Sequence, residues 1–334
     1  MSAPSLTLTE ERLTAALGRP PKRGDDHLLV PILKKTEIEH VLRIGRETQT
    51  QVGVLRGPIR LDLSALRTFE LDETSLLVQV GVGWTLGALE AELSRHGLLL
   101  GLSPAASMDR SLGALLAAPR GSEAMPRSGP ATQLVYAVEA LLADGVELVT
   151  RGAPRKAAGP ELWQLLVGSR GALGIFVSAT LRVERRPESR REAAWEFPNL
   201  PAATAGARTI LLDGVRPLDL AVVAPALLVA TFEGPAILCE ALHQHANALA
   251  KRAGGHAVPH QPQARYRSSP SERRISLDVI HQVPSLPKEA RLVGWHLGGA
   301  TLLDPTTAYV PVAPSAMLLA LKRRLDPNQH FVDF

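Results

Sequence analysis

The hydrophobic period changes twice within the first hundred residues, and a chain with that pattern has to combine sheet and helix. From Thr36 apolar residues recur at helical spacing, with Ile38, Val41 and Leu42 on one side. From Gln51 the period is two, and strands are predicted at 52–55, 59–63, 68–71 and 76–82, with Asp72 to Ser75 as a turn. A second helix follows, capped by Thr85, with Leu86, Leu89 and Leu93 on its apolar side and Gly97 at its end. Thr36 to Glu39 reads as a capping box for the first of these helices, which runs to about Thr48. A shorter helix near 10–17 and a Pro/Gly linker precede them.

Further along, strands are predicted at 134–142 and 146–149 around the turn Asp144–Gly145, then a short helix over 160–167 and a long strand over 175–183. Residues 188–209 read as connecting segment and 257–275 as a long loop. The apolar run 220–232 reads as a strand pair, or one strand bent at Pro225. A helix extends from Pro235 to about Ala253, strands lie near 275–280 and 291–296, and a final helix spans 314–325 before Asp326–Pro327. The fold class is α+β.

Composition narrows the function classes. Thirty Arg and seven Lys oppose 33 acids, for a net charge of +4, with no long run of one sign. Aromatics are 4%, so the basic stripe interleaved with stacking rings that nucleic-acid binding uses is missing. One cysteine, Cys239, excludes a disulfide framework and a cysteine-based zinc or iron–sulfur site within the chain, and fits a reducing compartment. The apolar run 220–232 is shorter than the ~20 residues a membrane span needs. No targeting pattern is read at the start, and a cytoplasmic protein is expected. His243 and His245, two apart on one helix, do not face each other, and no metal site is expected.

The informative pattern is a series of small-residue turns in a fixed order. Ser111-Leu112-Gly113-Ala114 follows Pro104; then come Ser128-Gly129, the hairpin Ala143-Asp144-Gly145, and Leu166 to Phe176, LVGSRGALGIF. Leu61-Asp62-Leu63-Ser64-Ala65-Leu66 and the step Val78 to Leu86, with Gly81, Gly83 and Trp84-Thr85, belong with them. So do Arg155 to Gly159 with Glu161-Leu162, and the closing Lys322-Arg323-Arg324-Leu325-Asp326-Pro327. Together these resemble the FAD-binding oxidoreductases of the vanillyl-alcohol oxidase/p-cresol methylhydroxylase (PCMH) fold, and within them the smaller flavin-domain subunit of glycolate oxidase. The likeness is good over 28–187, moderate over 311–330 and weak between.

The resemblance implies a two-subdomain flavin domain over 25–187 after an N-terminal segment and linker (1–24). It also implies a smaller α+β cap over 188–310 and a return to the flavin domain at 311–334. FAD would be held non-covalently by Arg56, Gly57, Pro104, Ser111, Leu112, Gly113, Ala114, Ser128, Gly129, Gly171, Ala172, Leu173, Gly174 and Ile175. A flat ring and a charged pyrophosphate need backbone N–H groups close by, and Gly, Ala and Ser leave that room. The reaction implied is oxidation of a small 2-hydroxy acid, with electrons passed to a larger flavin subunit and an iron–sulfur subunit. No catalytic residue is assigned; Arg265, Arg267, His281 and His296 are the cap-region groups suited to a carboxylate or a proton.

The sequence departs from the family at the pyrophosphate loop. Leu55-Arg56-Gly57 begins the glycine-rich segment, but Pro58-Ile59-Arg60 runs directly into the next strand. Gly129 lacks the acid four residues on, where Gln133 stands; Ala158 replaces a threonine, and Phe331-Val332-Asp333-Phe334 replaces a closing Asn-Pro-Gly. A flavin-free relative acting in assembly or regulation is the alternative.

Overall fold

The computed structural model describes residues 6–102, 106–120, 130–150, 163–223, 225–259, 272–276, 291–296, 299–303 and 314–332. Helix α1 (Leu6–Leu17) packs on α2 (Lys35–Glu47), and α2 covers a sheet of β1 (Lys22–Arg23), β2 (Leu28–Pro31), β3 (Val52–Gly53) and β4 (Ile59–Asp62). Its order is β1-β2-β4-β3, with β4 parallel to both β2 and β3. The capping box is not formed. Helix α2 starts earlier, with Lys34 at the N-cap and no side-chain cap there. Glu37, on the third helical residue, instead accepts the Leu33 N–H at 2.8 Å and binds the Arg19 guanidinium through both oxygens. Its carboxyl is held below the usual range by the Arg19 hydrogen bond, which outweighs burial.

The second sheet has the order β5-β6-β10-β8-β9: β5 (Phe69–Asp72), β6 (Leu77–Gly81), β10 (Ile175–Arg182), β8 (Val135–Leu141) and β9 (Glu147–Val149). All its pairings are antiparallel. Central β10 is buried along most of its length, which suits a strand enclosed on both faces. Where β6 ends, the chain from Leu63 to Thr68 crosses so closely that a Cβ on Gly81 would lie 2.2 Å from the Leu66 carbonyl oxygen. Helix α3 (Leu86–Arg95) is capped as expected, Thr85 Oγ1 accepting from Ala88 N at 3.2 Å, and buries Leu86, Leu89 and Leu93. Lys35, at the start of α2, ties that helix to the second sheet by donating to Glu139 at 2.6 Å and Glu147 at 2.9 Å, and Glu139 also accepts from Ser178.

A seven-stranded antiparallel sheet follows, in the order β15-β12-β14-β13-β17-β18-β16. Its strands are β12 (Ser189–Glu196), β13 (Asp219–Val223), β14 (Leu227–Gly234), β15 (His256–Val258), β16 (Glu272–Ser276), β17 (Arg291–His296) and β18 (Gly299–Leu303). Helices α6 (Leu200–Leu212) and α7 (Ala236–Arg252) pack against it. Here the sequence reading needs correction. Residues 188–209 are not a connector: they hold β12 and most of α6. The segment Ser189–Glu196 has few β-branched residues, but it is paired on both sides and buries Ala193, Ala194 and Trp195. Tertiary pairing overrides its weak propensity. Strands β15 and β16 also lie at the two ends of the segment read as a loop, and β18 was not anticipated; residues 260–271 and 277–290 lie outside the described residues. The apolar run 220–232 is a strand pair, as one of its two readings had it.

Two cores result. One joins residues from Leu13 to Val183 with Phe331; the other joins residues from Ala193 to Leu292 around Trp195, Phe232 and the buried thiol of Cys239. Two short helices, α4 (Leu112–Ala117) and α5 (Trp163–Leu166), adjoin the first and fourth small-residue turns, and α8 (Ala316–Leu325) returns to the first core. The two-stranded pairing of β7 (Leu98–Leu99) with β11 (Glu184–Arg185) completes the framework. Among the described residues no helix is long and apolar enough to cross a membrane.

Candidate cofactor site

Helix α4 brings the first and the fourth of the small-residue turns together. At its start, Ser111 is the N-cap, its hydroxyl accepting from Ala114 N at 3.1 Å. Leu112 N donates to Trp84 O (2.8 Å) and Gly113 N to Val82 O (3.0 Å). These amides were expected to face a pyrophosphate; the chain itself already satisfies them. What Gly113 and Ala114 offer a ligand is a small, half-buried surface. At the end of α4, Leu116 O accepts from Gly168 N and Ala117 O from Arg170 N, at 3.0 and 2.9 Å. The turn 166–174 therefore hangs from carbonyls that a helix end leaves open.

That turn is tight and buried. Gly168, Arg170 and Gly171 all have positive φ (79°, 54° and 85°), a conformation that costs a non-glycine residue such as Arg170 on the order of 1 kcal/mol. Gly171 to Ile175 are buried, and Ile175 opens β10 opposite Leu141. Among the described residues, the amides of Gly171, Leu173 and Gly174 make no backbone–backbone hydrogen bond. The Ser169 hydroxyl, on a residue with no exposed surface, and the Trp163 indole N–H likewise have no partner. Buried polar groups are nearly always paired in folded proteins. A cluster of unpaired donors around one turn has the chemistry of a site that receives acceptor atoms.

The segment around Arg56 and Gly57 is different. Strands β3 and β4 are adjacent and parallel, yet only residues 54–58 connect them. Parallel neighbours normally need a crossover of a dozen or more residues. The short connection closes on itself: a Cβ on Gly53 would lie 2.2 Å from Arg56 O, and Gly57 has φ of 110°. Its surface is covered by Val332, whose Cγ2 lies 2.4 Å from where a Gly57 Cβ would be and 3.1 Å from that of Gly53. On its other side, Val54 Cγ2 lies 2.7 Å from the Cβ position of Gly171, so this segment and the buried turn touch.

Val332 is held there by a buried polar knot. Val52 N donates to His330 O (2.8 Å) and Val332 N to Val52 O (3.2 Å), which pairs Val52 with Phe331 in one isolated parallel bridge. Asp326 accepts from His330 N (2.8 Å) and Phe331 N (2.9 Å) and pairs with Lys322, whose ammonium also donates to Phe331 O at 2.8 Å. The Lys322 and Asp326 side chains are 5% and 0% exposed. A cleft of about 380 Å³ runs along α8, lined by Leu319, Lys322, Arg323, Asp326, Pro327 and Gln329 among others; none of these was a predicted cofactor contact.

Of the predicted residues, Pro104, Ser128 and Gly129 lie outside the described residues, as do Arg265, Arg267 and His281; His296 lies on β17 with its side chain outside them. The structure brings Ser111–Ala114, Gly171–Ile175 and the Arg56–Gly57 segment into one neighbourhood through α4 and Val54. It adds Ser169, Trp163 and Val332, which sequence reasoning did not assign. In the sequence Ser169 stands only as one residue of the small-residue segment Leu166 to Phe176; nothing local marks Val332. Among the described residues, no three His, Cys, Asp or Glu side chains group as metal ligands.

Comparison with known proteins agrees with this architecture. Residues 30–151 match the FAD binding domain family. The chain is 36% identical over 176 residues to a probable mitochondrial D-lactate dehydrogenase of Danio rerio, covering 51% of this chain and 35% of that protein. It is 28% identical over 209 residues to the alkyldihydroxyacetonephosphate synthase of Trypanosoma brucei brucei, covering 60% of this chain and 34% of that one. A mitochondrial D-lactate dehydrogenase [cytochrome] of Arabidopsis thaliana matches at 27% over 165 residues, 48% of this chain and 28% of that protein. The matches thus span about a third of the length of these curated relatives. Among solved structures, p-cresol methylhydroxylase with substrate bound superposes with a TM-score of 0.69 at 14% identity, over 98% of both chains. An alkyldihydroxyacetonephosphate synthase gives 0.72 at 16%, over 91% of this chain and 75% of that one. Residues 30–151 thus match an FAD binding domain, and the chain has the p-cresol methylhydroxylase fold.

Proposed function

We propose that this chain holds FAD non-covalently and acts in the oxidation of a small 2-hydroxy acid, such as lactate or glycolate. The single observation that carries the reading is the buried turn 168–175 with its unpaired donors. The residues there fit the ring end of a flavin: the amides of Gly171, Leu173 and Gly174 and the hydroxyl of Ser169 are donors in a water-poor turn, where hydrogen bonds to carbonyl and ring-nitrogen acceptors are strongest. Gly113 and Ala114 would leave room for a flat ring, and Arg56 and Gly57 lie on the segment that the family resemblance assigns to the pyrophosphate. Bound there, the flavin supplies the redox chemistry, and the protein's part is to position the ring and exclude water.

The 2-hydroxy acid is supported by the two D-lactate dehydrogenases among the relatives. Electrons pass on to partner subunits, a larger flavin subunit and an iron–sulfur subunit, because the chain's one cysteine is buried in the second core and offers no cluster ligand set. A cytoplasmic site of action goes with this reading.

A second reading, a flavin-free relative, is favoured by one observation: the short 54–58 connection leaves no open loop for a diphosphate and is covered by Val332. A visible absorption spectrum of the purified protein, repeated after denaturation, separates the two. Stoichiometric flavin that bleaches anaerobically with D-lactate or glycolate is expected. A colourless protein that takes up no added FAD would establish the flavin-free reading instead.

A further inference from the structure

We infer that this chain recognises a flavin by its ring half alone, so that the adenosine diphosphate half of FAD adds no affinity and FAD, FMN and riboflavin are taken up alike. The inference rests on the reading above that the turn 168–175 meets the ring. Three observations carry it. The first is the 53–58 turn, which does not fit a diphosphate. A diphosphate needs backbone room and amides turned toward it. Here a Cβ at Gly53 would collide with the Arg56 carbonyl oxygen, and one at Gly57 with Val332 Cγ2, so the space beside both glycines is filled by the chain itself. The group that fills it at Gly53 is an acceptor, which repels phosphate oxygens. Arg60, on the strand that follows, is committed as well: its Nε donates to Gly57 O at 3.2 Å and a terminal nitrogen to Asp26 at 3.4 Å.

The second observation is the start of α4. A helix start receives an anion through its first amides. All four are engaged within the chain: Leu112 N by Trp84 O, Gly113 N by Val82 O, Ala114 N by Ser111 Oγ and Leu115 N by Ser111 O. The third is where unpaired donors do occur. The Ser169 hydroxyl and the Trp163 indole N–H have no partner, on residues 0% and 6% exposed, and both lie at the turn assigned to the ring. Buried donors of this kind gain most from an acceptor brought by a ligand. Among the described residues the donor set therefore matches a flat heterocycle with carbonyl and ring-nitrogen acceptors, and not a charged diphosphate. FAD bound this way keeps its diphosphate in water. One charge-assisted hydrogen bond to a phosphate is worth about tenfold or more in affinity, so a diphosphate that was held would separate FAD from riboflavin by at least that factor.

The test is a fluorescence titration of the full chain, stripped of any bound flavin, with FAD, FMN and riboflavin in turn, at low and high salt and with ADP as competitor. The three dissociation constants should agree within about threefold, less than one phosphate hydrogen bond would give. FAD affinity should not fall as salt is raised, because no phosphate charge is being paired, and ADP should displace none of the three. Ser169→Ala should weaken all three by one common factor, about three- to tenfold. FAD held more than about tenfold tighter than riboflavin, or displaced by ADP, would overturn the inference and leave the flavin reading standing. Loss of affinity for FAD alone in Ser169→Ala would overturn it too. A protein that takes up none of the three would overturn the flavin reading, and this inference with it.

Discussion

Replacing Lys322 by methionine tests the buried Lys322–Asp326 pair directly. Methionine matches the aliphatic stem of lysine and removes only the ammonium. In the wild type that ammonium pairs with Asp326, whose side chain is fully buried, and donates to Phe331 O. Removing one partner of a buried ion pair leaves the other charge uncompensated, at a cost of about 3–5 kcal/mol. Two backbone amides still point at the Asp326 carboxylate, so the lower part of that range is expected. This is a large fraction of a domain's stability of about 5–15 kcal/mol. The Lys322→Met/Asp326→Leu double variant separates charge from geometry. It removes both charges, but the His330 and Phe331 amides then lose their acceptor, at about 1–3 kcal/mol each if they stay buried. The double variant should therefore recover part of the loss and not all of it. Urea unfolding gives the stabilities, and hydrogen exchange locates the loss, with the Val52 and Val332 amides exchanging first. A Lys322→Met protein within about 1 kcal/mol of wild type, with its Val52 amide still protected, would refute a closed, buried pair.

Three other outcomes follow from the same geometry. Glu37→Gln should cost about 1.5–3 kcal/mol at neutral pH, from the hydrogen bonds to Arg19 and Leu33 N; because the Glu37 carboxyl is held below its usual range, that contribution is present above the unfolded-state value and fades as pH falls through the folded one, so melting curves of the two proteins should converge on acidification. Gly171→Ala should lose about 1–3 kcal/mol by thermal denaturation, since its φ is 85° and the new methyl would meet Val54 Cγ2 at 2.7 Å; wild-type stability would show that the turn is not held as described. Ser169→Ala should leave the flavin-free protein as stable as before or slightly more so, because it deletes a buried hydroxyl without a partner, and should weaken FAD in the titration; unchanged FAD affinity would remove Ser169 from the site.

Much of this molecule is readable from short windows of sequence. Thr85 with Leu86, Leu89 and Leu93 specifies a capped amphipathic helix by itself, and Asp144–Gly145 specifies its hairpin turn, with Asp144 accepting from Val146 N and Gly145 at φ 85°. The physical reason is that periodicity, capping and turn conformation are settled by residues within about one turn of each other. The ordered small-residue turns carried the resemblance to FAD-binding proteins for the same reason. What the sequence left undetermined depends on partners far along the chain. Ser189–Glu196 looks like a linker until β14 and β15 pair with both of its edges. The amides of Leu112 and Gly113 look available for a ligand until Trp84 and Val82 accept them. Val332 has no local signature at all; it matters because Lys322 and Asp326 deliver it to a segment more than 270 residues away in sequence, where two glycines leave space for it. Sequence determined which segments become helix, strand and turn; only the tertiary structure decided which donors remain unpaired around Ser169 and which surface Val332 covers.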